Sequence, residues 1–114
     1  MATSSAVFVS SVTTTQWETD PELPPPALMH VLCADDGVEA GLTRFDDTDG
    51  PISWTPPVRE VLLVLEGRAR IEVEGGEVLD LGPGDMASLP GGVPTTWTLT
   101  TPFRELWVFP AAGR

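Results

Sequence analysis

The sequence contains no lysine, one histidine and one cysteine among its 114 residues. Without lysine the chain has neither a Schiff-base amine nor the phosphate-binding lysine of a P-loop. A single imidazole, His30, excludes sites that take two histidines from one chain, and these include most catalytic zinc centres. A single thiol, Cys33, excludes an internal disulfide and a cysteine-rich zinc site, and it is compatible with a reducing compartment.

Basic residues are also scarce, since six arginines stand against 17 Asp and Glu and the formal net charge is −11. A surface this negative repels phosphate backbones and anionic lipid headgroups, so we expect neither nucleic acid nor a membrane as a partner. The stretch AVFVSSVTTT lacks a basic flank and is too short and too polar for a signal or membrane helix. We therefore expect a cytoplasmic protein, and the length predicts a single domain over residues 1–114.

No stretch has a helical period, because 12 prolines and 11 glycines fall between short apolar runs. Ala69, Ile71 and Val73 alternate with charged residues, and Gly75-Gly76 then supplies a two-residue hairpin turn. About ten short strands with tight turns predict an all-β fold, an antiparallel sandwich or barrel. Besides this hairpin, the predicted strands are 6–17, 28–33, 39–45, 61–65, 77–81, 86–89, 95–100 and 103–109.

Glu60 directly precedes the run VLLVL (61–65), which is apolar at every position. By strand alternation Glu60 shares a face with Leu62 and Val64, so it faces the interior if they do. The other face is apolar as well, which places this strand in the middle of the packing. A buried carboxyl needs a raised pKa or hydrogen-bond partners. The candidate partners are the hydroxyls of Thr55, Thr95 or Thr96, the indoles of Trp54 or Trp97, and an arginine.

The spacing around Glu60 resembles the end of the first cupin motif, in which a glutamate, six residues and a glycine follow one another, here Glu60 and Gly67. The stretch GDMASLPGGVPTTW (84–97) is similar to the second cupin motif, with Gly84, Pro90 and Gly92 at the motif positions. The resemblance covers about residues 38–109. It implies a double-stranded β-helix, the jelly-roll β-barrel of the cupins.

The resemblance is strongest to the small cupins related to ureidoglycine aminohydrolase and to the ethanolamine-utilisation cupins. Gly50, Trp54 and Glu60 match a run that these proteins share, and Trp97 stands two residues after the position of their second-motif histidine. We therefore expect residues 38–109 to form the core of the domain. Residues 1–25 are expected to supply an N-terminal strand and a proline-rich spacer.

The metal ligands of the cupins are not matched, apart from Glu60. Cupin sites usually present about four protein ligands, mostly imidazole. In this sequence the motif histidines fall on Trp54 and Pro56 (or, with a gap one residue longer, on Ser53 and Thr55) and on Thr95. We therefore expect a cupin without a metal, and no motif for an organic cofactor is present.

These observations predict a metal-free cupin that binds a small organic molecule in its barrel. Glu60 is the candidate catalytic residue, because an apolar pocket raises a carboxyl pKa toward neutrality, where proton transfer is most efficient. The expected chemistry is non-redox acid–base catalysis, as in an isomerase, cyclase, lyase or hydrolase. The predicted ligand-binding residues are Trp54, Pro56, Leu62, Met86, Thr95 and Trp97, whereas Trp107 is expected to fill the core and His30 to have no catalytic role.

Three alternatives stay open at this level. Glu60 is equally well explained as a structural carboxylate. One alternative is binding without turnover, as in a sensor or carrier, and a second is a structural or interaction module whose barrel is filled with side chains. A metal-dependent cupin enzyme with atypical ligands, such as an oxygenase or an aminohydrolase relative, is the third alternative. For assembly we expect a homodimer, in which the strand 6–17 adds to the sheet edge of a second copy.

Overall fold

The computed structural model describes residues 6–35 and 37–110. Within these ranges the chain forms eight β-strands, and it contains no helix of the length and apolarity needed to cross a membrane. The strands are β1 (Glu18–Thr19), β2 (Leu28–Asp35), β3 (Val38–Phe45), β4 (Ile52–Trp54), β5 (Glu60–Val73), β6 (Val78–Leu81), β7 (Met86–Leu89) and β8 (Thr95–Pro110). The predicted all-β fold is confirmed.

All strand pairs are antiparallel, and neighbours follow the order β1-β2-β3-β8-β5-β6, with β4 beside β8 and β7 beside β5. The two long strands, β5 and β8, pair from Val61 opposite Val108 to Val73 opposite Thr95. The first half of β5 lies between β8 and β7, and its second half lies between β8 and β6. The long pair β5–β8 therefore forms the centre of the jelly roll, and its two halves have different neighbouring strands.

Both long strands bend where Gly67 faces Pro102. The pairing register shifts on either side of Glu66, and Gly67 has a φ of +76°. A Cβ atom at Gly67 would overlap the carbonyl oxygens of Thr100 and Pro102, so this position requires glycine. Because the strand continues through the bend, the predicted strands 95–100 and 103–109 are one strand, and the number of strands is smaller than expected.

The core is formed by the inward-facing residues of β5 and β8. Leu62, Val64 and Phe103 are at most 1% exposed, and Glu60 is 3% exposed on the same face as Leu62 and Val64. The alternation argument for Glu60 is thus confirmed. Val61 on the opposite face is 47% exposed, so the expectation that this strand is covered on both faces is wrong.

The predicted strand 6–17 is also wrong, because residues 6–17 form no strand. Their hydroxyl groups bond to the local backbone, since Ser11 Oγ accepts from the amide of Thr13 and Thr14 Oγ1 accepts from the amide of Gln16, both at 3.1 Å. Bonds of this kind offer the backbone an alternative to a strand ladder. The first described strand, β1, begins only after this segment; it has two residues and pairs with β2.

This N-terminal segment is instead held against the barrel by Trp17. The guanidinium carbons of Arg44 and Arg104 lie 5.2 and 5.5 Å from the centroid of the Trp17 ring, which is cation–π geometry. Arg104 Nη1 also donates to the carbonyl of Val12 at 3.0 Å. The segment 8–12 thereby covers residues of β2, β3 and β8, and a second cavity of about 300 Å³ lies between them.

Candidate functional site

A cavity of about 260 Å³ lies inside the barrel, lined by residues of β2, β3, β4, β5 and β8 and by the segment 20–23. The lining residues Pro21, Glu22 and Val31 are exposed, whereas Glu60 and Trp97 are buried. The cavity therefore runs from a solvent-exposed rim to a buried end. The rim is supplied in part by the proline-rich segment that the sequence analysis treated only as a spacer.

Glu60 is the first residue of β5, and alternation with Leu62 directs it into the cavity. The indole Nε1 of Trp54 donates to Glu60 Oε1 at 2.8 Å. Burial raises the pKa of Glu60 to about 7, and the hydrogen bond from Trp54 acts in the opposite direction. At neutral pH this carboxyl group is therefore present in both its protonated and its ionised form.

A chain of hydrogen bonds fixes Trp54 in front of Glu60. Strand β4 places Trp54 opposite Thr95 of β8. The Thr95 hydroxyl donates to the backbone carbonyl of Trp54, and the Thr95 oxygen accepts from Trp97 Nε1 at 2.9 Å. Thr95 thus positions Trp54 and Trp97, which both line the cavity.

Glu105 is a second buried carboxyl at the cavity, and the sequence analysis did not identify it. It lies on β8 opposite Thr43 of β3 and Val64 of β5, and it is 6% exposed. Its Oε1 atom is buried without a hydrogen-bond partner among residues 6–35 and 37–110. Burial raises the pKa of Glu105 well above 4.5, and repulsion from Glu60 and then from Asp20 adds to the increase.

Aromatic rings form much of the cavity wall. The ring of Phe109 lies 6.5 Å from Trp54 and 5.4 Å from Trp107, measured between centroids. Trp107 Nε1 donates to the hydroxyl of Thr43 at 2.8 Å, which fixes the orientation of its indole. Trp107 was expected only to fill the core; it is buried, as expected, and it also lines the cavity.

The structure brings three of the predicted site residues together at the cavity, namely Trp54, Glu60 and Trp97. Pro56 and Leu62 are fully buried outside the cavity lining. Met86 is 74% exposed and does not line the cavity, because it pairs with outward-facing Leu63. Its assignment as a ligand-binding residue is therefore not retained.

The only histidine faces away from this cavity. Met29 and Val31 line the barrel cavity, so alternation along β2 turns His30 to the opposite face, where it lines the second cavity. His30 Nδ1 donates to the carbonyl of Gln16 at 2.9 Å, and Nε2 accepts from the hydroxyl of Ser10 at 2.7 Å. The expected partly buried strand position of His30 is confirmed.

The resemblance to the cupins implies a metal bound mainly by imidazole groups. Near Glu60 the cavity offers carboxylates and aromatic rings, and no imidazole or thiolate. Among the described residues no group of three or more His, Cys, Asp or Glu is arranged to hold a metal ion. This donor set does not fit the imidazole-rich site of a metal-dependent cupin.

The family model for the EutQ-like cupin domain matches residues 37–105. A structure from Salmonella typhimurium assigned as ethanolamine utilization protein Q has 27% identity and a TM-score of 0.65, covering 75% of this chain and 70% of that chain. No protein with a curated description matches the sequence.

Two further structures superpose over nearly the whole chain. An RmlC-like cupin from Shewanella frigidimarina has 20% identity and a TM-score of 0.74, covering 96% of this chain and 95% of that one. KdgF from Halomonas sp. has 19% identity and a TM-score of 0.71, covering 93% and 94% respectively. At these identities the likeness concerns the fold, and it confirms the predicted jelly roll.

Proposed function

The chain belongs to the EutQ-like cupin family, and from this premise we propose that it binds a small organic molecule in the barrel cavity and exchanges a proton with it through Glu60. The observation that carries the proposal is a carboxyl group that is 3% exposed, lines the cavity and has a pKa raised to about 7. A pKa near the working pH gives the best compromise between the fraction of the active form and its proton-transfer strength.

The two carboxyl oxygens of Glu60 have different roles in this proposal. Oε1 accepts the hydrogen bond from Trp54, which holds the carboxyl plane in place. Oε2 is the atom that takes a proton from the ligand or returns it. The reaction class that we propose is proton transfer coupled to isomerisation, cyclisation, elimination or hydrolysis.

The size and walls of the cavity limit the ligand. Ligand pockets usually have volumes of about 300–1,000 Å³, so a cavity of about 260 Å³ suits a molecule at the small end of that range. The rings of Trp54, Trp97 and Trp107 supply apolar area, and the carboxyl groups supply the few polar contacts that orient a ligand. A cavity beside Glu60 also argues against a barrel filled with side chains, the arrangement expected of an interaction module.

A screen in D₂O tests the proposal. The protein is incubated with a library of small metabolites, and deuterium incorporation or conversion is followed by mass spectrometry. Glu60→Gln should bind the active compound with similar affinity and lose exchange and conversion. Glu72→Gln, on the exposed face of the same strand, is the matched control and should behave like the wild type.

Three results would contradict this proposal. Unchanged turnover in E60Q would remove the acid–base role. Binding without any exchange or conversion in the wild type would favour a sensor or carrier. Stoichiometric iron, manganese, nickel or zinc in the purified protein would favour the metal-dependent alternative, which the donor set near Glu60 does not support.

The homodimer predicted from the sequence stays a prediction, but it needs a different interface. Residues 6–17 form no strand and lie against their own barrel, so they do not supply an edge strand to a second copy. Exposed apolar side chains at Val7, Val9 and Val12 are the candidate contact. A monomer mass in light scattering at micromolar concentration would contradict the dimer.

A further inference from the structure

We propose that the ligand of the barrel cavity is an organic cation, a protonated amine or a quaternary ammonium group, held by Glu105 and Glu60 within the aromatic wall. This inference rests on the proposed binding function and names the chemical class of the molecule bound. It is carried by three observations on the cavity: the sign of its charges, an unpaired buried oxygen, and the nature of its walls.

All ionisable side chains that line the cavity within residues 6–35 and 37–110 are acids. Glu60 and Glu105 lie at its buried end, Glu39 comes from β3, and Asp20 and Glu22 come from the segment before β2. No arginine or histidine of the described ranges lines it, and the chain contains no lysine. A cleft lined by charges of one sign concentrates ligands of the opposite sign.

One carboxyl oxygen of Glu105 lacks a hydrogen-bond partner within the described part of the chain. Its Oε1 atom is buried without a hydrogen bond, although the residue is only 6% exposed. An unpaired buried acceptor costs free energy unless a ligand supplies a donor or a positive charge. An ammonium group placed against Glu105 would supply both, and it would relieve the repulsion between Glu105 and Glu60 that raises the pKa of Glu105.

The walls suit an organic cation better than a hydrated metal ion. Indole and benzyl rings of Trp54, Trp97, Trp107 and Phe109 line the cavity, and a cation over such a ring face is attracted by the ring quadrupole. The same rings offer no ligand atom to a metal. Alkyl groups of an amine or ammonium ion can instead pack against these rings, while its positive charge lies against the carboxyl groups.

Matched probes separate charge from shape. Choline is compared with 3,3-dimethylbutan-1-ol, which replaces the nitrogen by carbon, and butylammonium is compared with 1-butanol and with butyrate. Dissociation constants are measured by NMR titration of the indole NH signals of the cavity tryptophans. We expect at least one cation to bind about ten-fold or more tightly than its neutral partner, a difference well outside titration error, and butyrate to bind weakest.

The acidic groups also predict how this preference depends on pH. Asp20, Glu22, Glu39, Glu60 and Glu105 are the titratable groups facing the ligand, and a cation binds best when they are ionised. Since the pKa of Glu60 is raised to about 7, cation affinity should increase from pH 6 to pH 8 with release of protons. The affinity of the neutral alcohols should not change. This readout uses the wild-type protein and requires no variant to fold.

Glu105→Gln isolates the contribution of the carboxylate. It should weaken cation binding about ten-fold and leave alcohol binding within two-fold, whereas Glu72→Gln should change neither. Equal affinity of cation and alcohol overturns the inference and leaves the proposed binding function standing. Tight binding of Ca²⁺ or Mn²⁺ at the cavity indoles, or of butyrate, also overturns it. If no compound of the D₂O library binds either, the proposed function fails with it.

Discussion

The indole nitrogen of Trp54 donates to Oε1 of Glu60 at 2.8 Å, across the six-residue step that joins β4 to β5. One partner is the last residue of β4, and the other is the first residue of β5. The bond holds a buried carboxyl group in one orientation without neutralising it. Burial raises the pKa of the proposed proton-transfer group, and Trp54 fixes its position and limits that increase.

Replacing Trp54 should change the acidity of Glu60. Trp54→Phe removes a hydrogen bond that favours the ionised form, so the pKa of Glu60 should increase above about 7. The pKa is measured by ¹³C NMR titration of the side-chain carboxyl. Trp17→Phe, outside the cavity, is the control and should leave it unchanged. A lower pKa in W54F would show that the indole does not stabilise the carboxylate.

The raised pKa of Glu60 also predicts how stability depends on pH. A carboxyl whose pKa is about 7 in the folded protein and 4.5 in the unfolded chain binds more protons when folded. Its contribution to stability is therefore present below pH 4.5 and is lost as the pH rises through 7. Between pH 5 and pH 8 the wild type should lose on the order of 2 kcal/mol more of its free energy of unfolding than E60Q.

Urea unfolding monitored by tryptophan fluorescence measures this difference. Glu72→Gln removes an exposed carboxyl from the same strand and should follow the wild-type curve. Parallel curves for the wild type and E60Q would contradict a raised pKa at Glu60.

Glu105 should reduce stability in the absence of a ligand. Glu105→Met replaces a buried carboxyl, whose Oε1 atom has no hydrogen-bond partner among the described residues, by an apolar side chain of similar length, and it should stabilise the protein at pH 8 by about 1–3 kcal/mol. Glu72→Met, at an exposed position, should change the free energy of unfolding by less than about 0.5 kcal/mol. A destabilised E105M would mean that Glu105 stabilises the fold.

Two glycines test the bend in the long strands. Gly67 and Gly75 have φ values of +76° and +69°, but only a Cβ at Gly67 would meet backbone atoms, and Gly75 faces open space. Gly75→Ala should cost about 1–2 kcal/mol for the backbone conformation. Gly67→Ala should cost several kcal/mol, because overpacking adds to that strain. Equal costs in chemical denaturation would contradict the tight contact with Thr100 and Pro102.

Local patterns in the sequence predicted much of the fold and the position of Glu60. Alternation along β5 placed Glu60 inward with Leu62 and Val64, and Trp54 was among its predicted partners. The strand Met86–Leu89 and a hairpin at Gly75-Gly76 were also predicted. The hairpin is confirmed, but its loop between Val73 and Val78 is longer than the predicted two residues, and of the two glycines Gly75 has the positive φ. These features depend on neighbouring residues, on which strand alternation and turn chemistry act directly.

Glu105 was missed because charged side chains are usually exposed. Alternation within the predicted strand 103–109 nevertheless places it on the face of Phe103 and Trp107, and these three residues turn inward along β8. The contribution of Asp20 to the rim depends on the pairing of β1 with β2, and short β1 has no clear pattern of its own. For Asp20 the decisive information is which strands pair, and local sequence does not specify it.

The four tryptophans provide the most direct test of a ligand site inside the barrel. Trp54, Trp97 and Trp107 line the cavity, whereas Trp17 lies outside it between Arg44 and Arg104. In ¹H–¹⁵N spectra recorded during titration with a compound that binds, the indole NH signals of the three cavity tryptophans should shift together, while that of Trp17 stays in place. A shift of Trp17 alone, or binding that leaves the three cavity signals unmoved, would contradict the account.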